Sequence, residues 1–380
     1  MNLDYSRAVR KLRIPAALWV LALTSTAFAP SASASTGAAR VIVLERAGAG
    51  SGPEAAVRQL GGGVEREIGL VHGFVAHVPW RGLGALRRTA GVRSVHRDRH
   101  FFLRSTGDDA EVTSTTLDAV RATIGAGEVA SGARVDVALV DSGITPVGGL
   151  AGRVIDGPDL SADAPVDELR HLDALGHGTH LAGIVAAVAP NARLVNVKVA
   201  DHDGETTLGR LLAGIDWVAR RGDRDGVDVR IVNLAFGAEP EGSYRDDPLA
   251  FAVERAWQRG VVVVAAAGNG GAETPGLDSP AHDPYVIAAG AEDSRGTGDM
   301  GDDLVAPFSS RGSATRGADV LAPGVGIVSA RVPGGFLDDA FPAARIGEDG
   351  FRGSGTSLSA AVVSGAAALL VGRRTGLEPD

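Results

Sequence analysis

Asp141-Ser142-Gly143, His177-Gly178-Thr179-His180 and Gly355-Thr356-Ser357 occur in that order along the chain. Together they hold a carboxylate, an imidazole and a hydroxyl, the three parts of a hydrolytic triad. In such a set the hydroxyl attacks an acyl group, the imidazole carries its proton, and the carboxylate orients the imidazole. Singly, each stretch carries little weight. Asp-Ser-Gly is ordinary turn chemistry, and a serine among glycines is usually only a loop serine.

The surrounding elements add to the case. From Ser105 onward, apolar strand-like runs at 135–140, 194–199, 229–236, 261–267 and 286–289 alternate with helical spacing. Leu208, Leu211, Leu212, Ile215 and Val218 mark one amphipathic helix, and Leu249, Val253, Ala256 and Trp257 another. The strands are apolar throughout rather than alternating, which implies a sheet covered on both faces. The expected fold class is α/β, a doubly wound, mainly parallel sheet with helices on both sides.

In such a sheet, reactive groups gather beyond the carboxyl ends of the strands. Asp141 directly follows one predicted strand, and Asn269 follows another through Gly268, where the competing reading is a turn cap. His177 leads into an apolar helix over 181–188. Ser357 precedes a small-residue helical run over 360–370, so its backbone N–H would face a developing oxyanion. Zinc is the rival use of His177 and His180. Their spacing lacks the intervening Glu of a zinc-protease helix, and no third ligand follows at a suitable offset.

Composition excludes other chemistries. The chain has 380 residues and no cysteine, so disulfides, thiolate metal sites and thiol nucleophiles are ruled out. Arg7, Arg10, Lys11 and Arg13 precede an apolar run over 14–23, and Ala32-Ser33-Ala34 fits a small-residue cleavage site. Residues 1–34 therefore read as an export signal, because the apolar run is too short for a spanning helix. Residues 35–104 hold 11 Lys and Arg against 5 Asp and Glu, while 105–380 hold 22 against 40. Opposite charge on adjacent parts of one chain points to an intramolecular partner. Nucleic acid is not expected, because no aromatic residues interleave with the basic ones.

From Arg40 to its last residue the chain resembles a secreted subtilase, a subtilisin-like serine endopeptidase with an amino-terminal propeptide. The matching stretches include 231–237, Ala266 to Asn269, Ser279-Pro280-Ala281, 308–312 and 321–324, besides the three motifs. The resemblance implies a small α+β, ferredoxin-like propeptide over 35–104 that acts as intramolecular chaperone and inhibitor. It implies a peptidase domain over 105–380, which looks short at its carboxyl end. Ser357 would be the nucleophile, His177 the general base and acid, and Asp141 its orienting carboxylate. Asn269 would donate to the oxyanion with the Ser357 N–H.

An extended substrate would lie beside Ala235, Phe236 and Gly237. Asp278 aligns with the base of the pocket for the residue before the cut, where a carboxylate would favour Arg or Lys; it could also be a solvent-facing loop residue. Propeptide cleavage is expected between Arg104 and Ser105, which would put Phe101 in an upstream apolar pocket. No cofactor is implied for catalysis. A structural calcium ion fits the family but has no assignable site here, and Asp299, Asp302 and Asp303 read as a solvated acidic loop. The implied product is extracellular, monomeric, without a stable membrane anchor, and acts on proteins or peptides. A secreted, catalytically weak or inactive peptide-binding relative is the alternative. An uncovered apolar helix after Ser357 would favour it.

Overall fold

The structure, a computed structural model, describes residues 37–103, 112–126, 133–220, 226–240, 242–374 and 376–379. The export segment 1–34 and the junction Arg104–Ser105 lie outside them. The chain divides into two compact units, Met1–Asp98 and Arg99–Asp380.

The first unit runs β1 (Ala38–Glu45), α1 (Gly52–Gln59), β2 (Gly63–Ile68), β3 (Gly73–Pro79), α2 (Leu83–Arg87) and β4 (Val92–Arg97). Its four strands pair antiparallel in the order β2-β3-β1-β4, a split β-α-β arrangement. Pro53 opens α1, and Glu54 and Arg58 sit at the ends that suit their charges. Val41, Val43, Val57, Phe74 and Leu86 form its core.

The second unit begins with β5 (His100–Phe102), α3 (Leu117–Thr123), β6 (Asp136–Asp141), β7 (Val154–Asp159), α4 (His177–Val188), β8 (Arg193–Lys198), β9 (Glu205–Thr207) and α5 (Leu208–Arg220). It continues through β10 (Val229–Leu234), α6 (Pro248–Trp257), β11 (Val262–Ala266), β12 (Ile287–Asp293), β13 (Leu304–Val305) and β14 (Val320–Pro323). It closes with β15 (Ile327–Ala330), β16 (Arg345–Ile346), β17 (Gly350–Gly353) and α7 (Thr356–Arg373).

Eight strands form the main sheet, in the order β13-β12-β11-β10-β6-β8-β7 with β14 also on β12. All its pairings are parallel except β12 with β13. Val137, Leu139, Ile231 and Val264 pack with α4 and α7 in one core. On α5, the backbone at Gly214 comes against Val140, Val197 and Val199. Both faces are thus covered, which is why the strands read as continuous apolar runs.

The apolar helix α7 is not left uncovered. Its buried residues extend from Thr356 to Gly372, and Leu370 is the exposed large side chain on it. It lies against β10, β11, β12, β14 and α4, elements that precede it in the chain, so its cover does not depend on later segments. At its crossing with α4, a Cβ on Gly365 would stand 2.7 Å from Val188, so only glycine permits this approach. Among the described residues α7 alone is long and apolar enough to cross a bilayer, yet 72% of that window is buried inside the fold, as in a core helix.

Candidate active site

Asp141 ends β6 at the carboxyl edge of the sheet, and its Oδ1 accepts from the Ser142 N–H at 2.8 Å. His177 is the first residue of α4, after Gly176 with φ of 104°. Its Nδ1 lies 2.8 Å from Asp141 Oδ1. The carboxylate can only accept, so Nδ1 carries the proton and Nε2 presents its lone pair. His177 is 4% exposed and Asp141 2%. Burial pulls the imidazole pKa down, but the charge and hydrogen bond of Asp141, with a further contribution from Asp173, outweigh it. His177 therefore titrates above its ordinary value.

The predicted start of the helix at 181 is too late. The imidazole sits inside the first turn rather than ahead of it. His180 lies one turn on. Its ring meets Phe351 edge-on at 6.3 Å between centroids, and neither ring nitrogen has a hydrogen-bond partner. Burial, then the charge of His177, push its pKa down to about 3, so it stays neutral.

Ser357 is the second residue of α7 and is 3% exposed. Its Oγ and His177 Nε2 are both buried atoms without a hydrogen-bond partner. Asn269 Oδ1 accepts from the Thr356 N–H at 2.9 Å and from the Thr356 hydroxyl at 3.0 Å. These bonds orient the amide so that Nδ2 points the other way. A Cβ on Gly355 would stand 3.2 Å from Ser357 Oγ and 3.5 Å from Asn269 Nδ2, so hydroxyl and amide border one small space. Gly355 has φ of 153°, which a side chain would strain, and its lack of one keeps that space open.

The predicted strand over 229–236 ends at Leu234, and Ala235, Phe236 and Gly237 leave the sheet at its carboxyl edge. The half-buried Asp278 carboxylate lies against the backbones of Gly237 and Gly268, where a Cβ on Gly268 would stand 2.7 Å from it. Asp278 is thereby brought beside the residue that precedes Asn269. Arg104 and Ser105 fall outside the described residues. The chain just before them does not: β5 pairs antiparallel with β9, and the Leu103 N–H donates to the Gly204 carbonyl at 3.0 Å. Phe101 on β5 is 3% exposed.

Two features escaped the sequence expectations. Asp201, Asp203 and Glu205 bring carboxylate oxygens within 4.8 Å of one another, a grouping that suits a hard cation. Burial and then the neighbouring Asp203 raise Asp201 to about 7, while Asp203 is lowered. The three lie on a tight turn that leads into β9, with the Glu205 N–H donating to Asp201 Oδ1 at 2.9 Å, so strand periodicity gave no signal for them. The second is the buried Asp173, four residues before His177; the cap position is Gly176, so the spacing of Asp173 carried no capping signal.

Residues 132–380 match the subtilase family. The chain is 35% identical over 312 residues to serine protease AprX of Bacillus subtilis (strain 168), covering 78% of this chain and 68% of that protein. It is 29% identical over 333 residues to subtilisin E of the same organism, covering 83% and 75%. Among solved structures, fervidolysin from Fervidobacterium pennivorans, a keratinolytic enzyme related to subtilisin, aligns with a TM-score of 0.68 at 23% identity, over 91% of this chain and 56% of that one. At that identity the likeness is one of fold. A cold adapted subtilisin-like serine proteinase aligns with a TM-score of 0.50 at 30% identity, over 64% and 78%.

Proposed function

The chain belongs to the subtilase family and is a serine-type endopeptidase, and from that premise we propose that it cuts through Asp141, His177 and Ser357 and is made as an exported, self-processing zymogen. The observation that carries the triad is the pair of buried, partnerless atoms, Ser357 Oγ and His177 Nε2, behind an Nδ1 held by Asp141. Ser357 Oγ attacks the scissile carbonyl carbon and its proton passes to Nε2. The carbonyl oxygen becomes an oxyanion, stabilised by Asn269 Nδ2 and the Ser357 N–H. Collapse expels the amine, which takes the proton from Nε2. Water repeats the sequence on the acyl-enzyme and restores the serine.

Only neutral imidazole can accept that proton. A His177 pKa above its ordinary value keeps the base protonated to higher pH, so the acid limb of kcat/KM lies above that of an ordinary histidine.

Residues 35–104 act as chaperone and inhibitor, removed by cleavage between Arg104 and Ser105. The pairing of β5 with β9 and the buried Phe101 support this, because an extended, strand-paired tail has the backbone form in which a protease binds a substrate. Mass spectrometry of the secreted product tests both proposals. The unaltered chain should begin at Ser105. Ser357→Ala should retain residues 35–104, and continued processing in that variant overturns the triad.

A preference for Arg or Lys before the cut rests on the Asp278 carboxylate beside Gly237 and Gly268. A charge-assisted hydrogen bond implies that a peptide ending in Arg is cut roughly ten- to a hundredfold better than its Phe counterpart. A preference for Phe would remove this specificity.

A further inference from the structure

Behind the Asp141–His177 pair lies a second carboxylate, fully enclosed. Asp173 is 1% exposed and precedes α4. Its Oδ1 accepts from the Ser142 hydroxyl at 2.8 Å and from the Gly176 N–H at 2.8 Å. Its Oδ2 accepts from the Thr179 N–H at 2.7 Å. The amino end of α4, which carries His177, is therefore fastened to one carboxylate on both sides of the imidazole.

Ser142 links that carboxylate to the pair. Its hydroxyl accepts from the Gly178 N–H at 3.0 Å and has two carboxylate oxygens within reach, Asp173 Oδ1 at 2.8 Å and Asp141 Oδ1 at 3.1 Å. A hydroxyl has one proton. The shorter contact assigns that proton to Asp173, which leaves Asp141 Oδ1 for the Ser142 N–H and His177 Nδ1–H.

We propose that Asp173, acting through the Ser142 hydroxyl and the first turn of α4, is a positioning residue for His177 and the second charge that stabilises its imidazolium. Resting on the proposed role of His177, the arrangement explains how an imidazole this buried can be charged during catalysis. A single carboxylate must offset the whole desolvation of the ring, whereas two share it. The titratable groups facing His177 are Asp141 from β6, Asp173 from the segment before α4, and His180 on α4 itself, which stays neutral. Both carboxylates act in the same direction, towards the protonated ring.

Asp173→Asn keeps the shape, removes the charge and gives up one of the two accepting oxygens. With enzyme concentration set by active-site titration, kcat should fall roughly ten- to a hundredfold with little change in KM, the scale of a small displacement of a catalytic group. The acid limb of kcat/KM should also move to lower pH, because the imidazolium has lost a stabilising charge. Ser142→Ala leaves the charge and both α4 anchors, so it should lower kcat by less and move the limb less. An unmoved acid limb in active Asp173→Asn overturns the proposal, since a purely structural cap would change the active fraction and leave the limb in place. Should Asp173→Asn fail to fold, an unchanged kcat in Ser142→Ala overturns it instead. His177→Ala serves as the control: activity surviving in that variant would overturn the triad itself, a result distinct from either of the others.

Discussion

Helices α4 and α7 start alike and end up with opposite electrostatic assignments. Each follows a glycine of positive φ, Gly176 at 104° and Gly355 at 153°, and neither first residue is capped by the side chain before it. Each holds one reactive side chain in its first turn. At α4, the Gly176 and Thr179 N–H groups end on Asp173, and that of Gly178 ends on the Ser142 hydroxyl. At α7, the Thr356 N–H goes to the neutral Asn269 amide, and the Ser357 hydroxyl has no partner. A helix start favours an anion. The fold builds that anion in at α4, where the proposed chemistry forms a cation on His177, and leaves it out at α7, where the same chemistry creates an anion.

The contrast can be broken at α7 first. Ser357→Ala removes the group that makes the anion, and kcat should fall by roughly 10⁴ to 10⁶, the scale measured for the catalytic serine of a subtilisin. Asn269→Ala keeps the nucleophile and removes a donor to the oxyanion. It should lower kcat by about a hundred- to a thousandfold with KM little altered, again a magnitude measured in a subtilisin. A large rise in KM at constant kcat would instead mean that Asn269 binds substrate.

The two glycines sharpen the comparison with a smaller effect. Alanine at either position forces a strained backbone costing about 1–3 kcal/mol, visible as a lower melting temperature. Only at Gly355 does the new Cβ enter the space between hydroxyl and amide; at Gly176 it meets nothing nearer than 3.9 Å. Folded Gly355→Ala should therefore lose kcat by about tenfold or more, on the scale of a displaced catalytic group. Folded Gly176→Ala should keep kcat within a few-fold. Equal losses of kcat would mean that the two helix starts are not functionally distinct.

The parallel sheet was legible because every strand buried on both faces must be apolar along its length, as 262–266 and 287–289 are. The ends of elements were less so. His177 and Ser357 read as residues ahead of their helices, yet both lie within the first turn. Glycine-rich starts lack the side-chain caps that mark a boundary, so nothing local announced the first turn. How α7 is covered was not legible, for a different reason. Helical periodicity tells how apolar a face is, not which earlier strands come to lie against it.

Residue types and their order determined the chemistry on offer, since an acid, an imidazole and a hydroxyl carry their reactivity wherever they are placed. Local periodicity likewise determined which stretches become strands and helices. Tertiary structure decided which groups meet: Asp141 and His177 are 36 residues apart, Asn269 and Thr356 are 87 apart, and each pair closes to hydrogen-bonding distance. It also decided that Asp173 lies behind the pair and that Asp278 rests on two glycine backbones. Such contacts depend on how distant segments pack. Burial then removes the water that would otherwise screen them, so charges far apart in the sequence come to govern one imidazole.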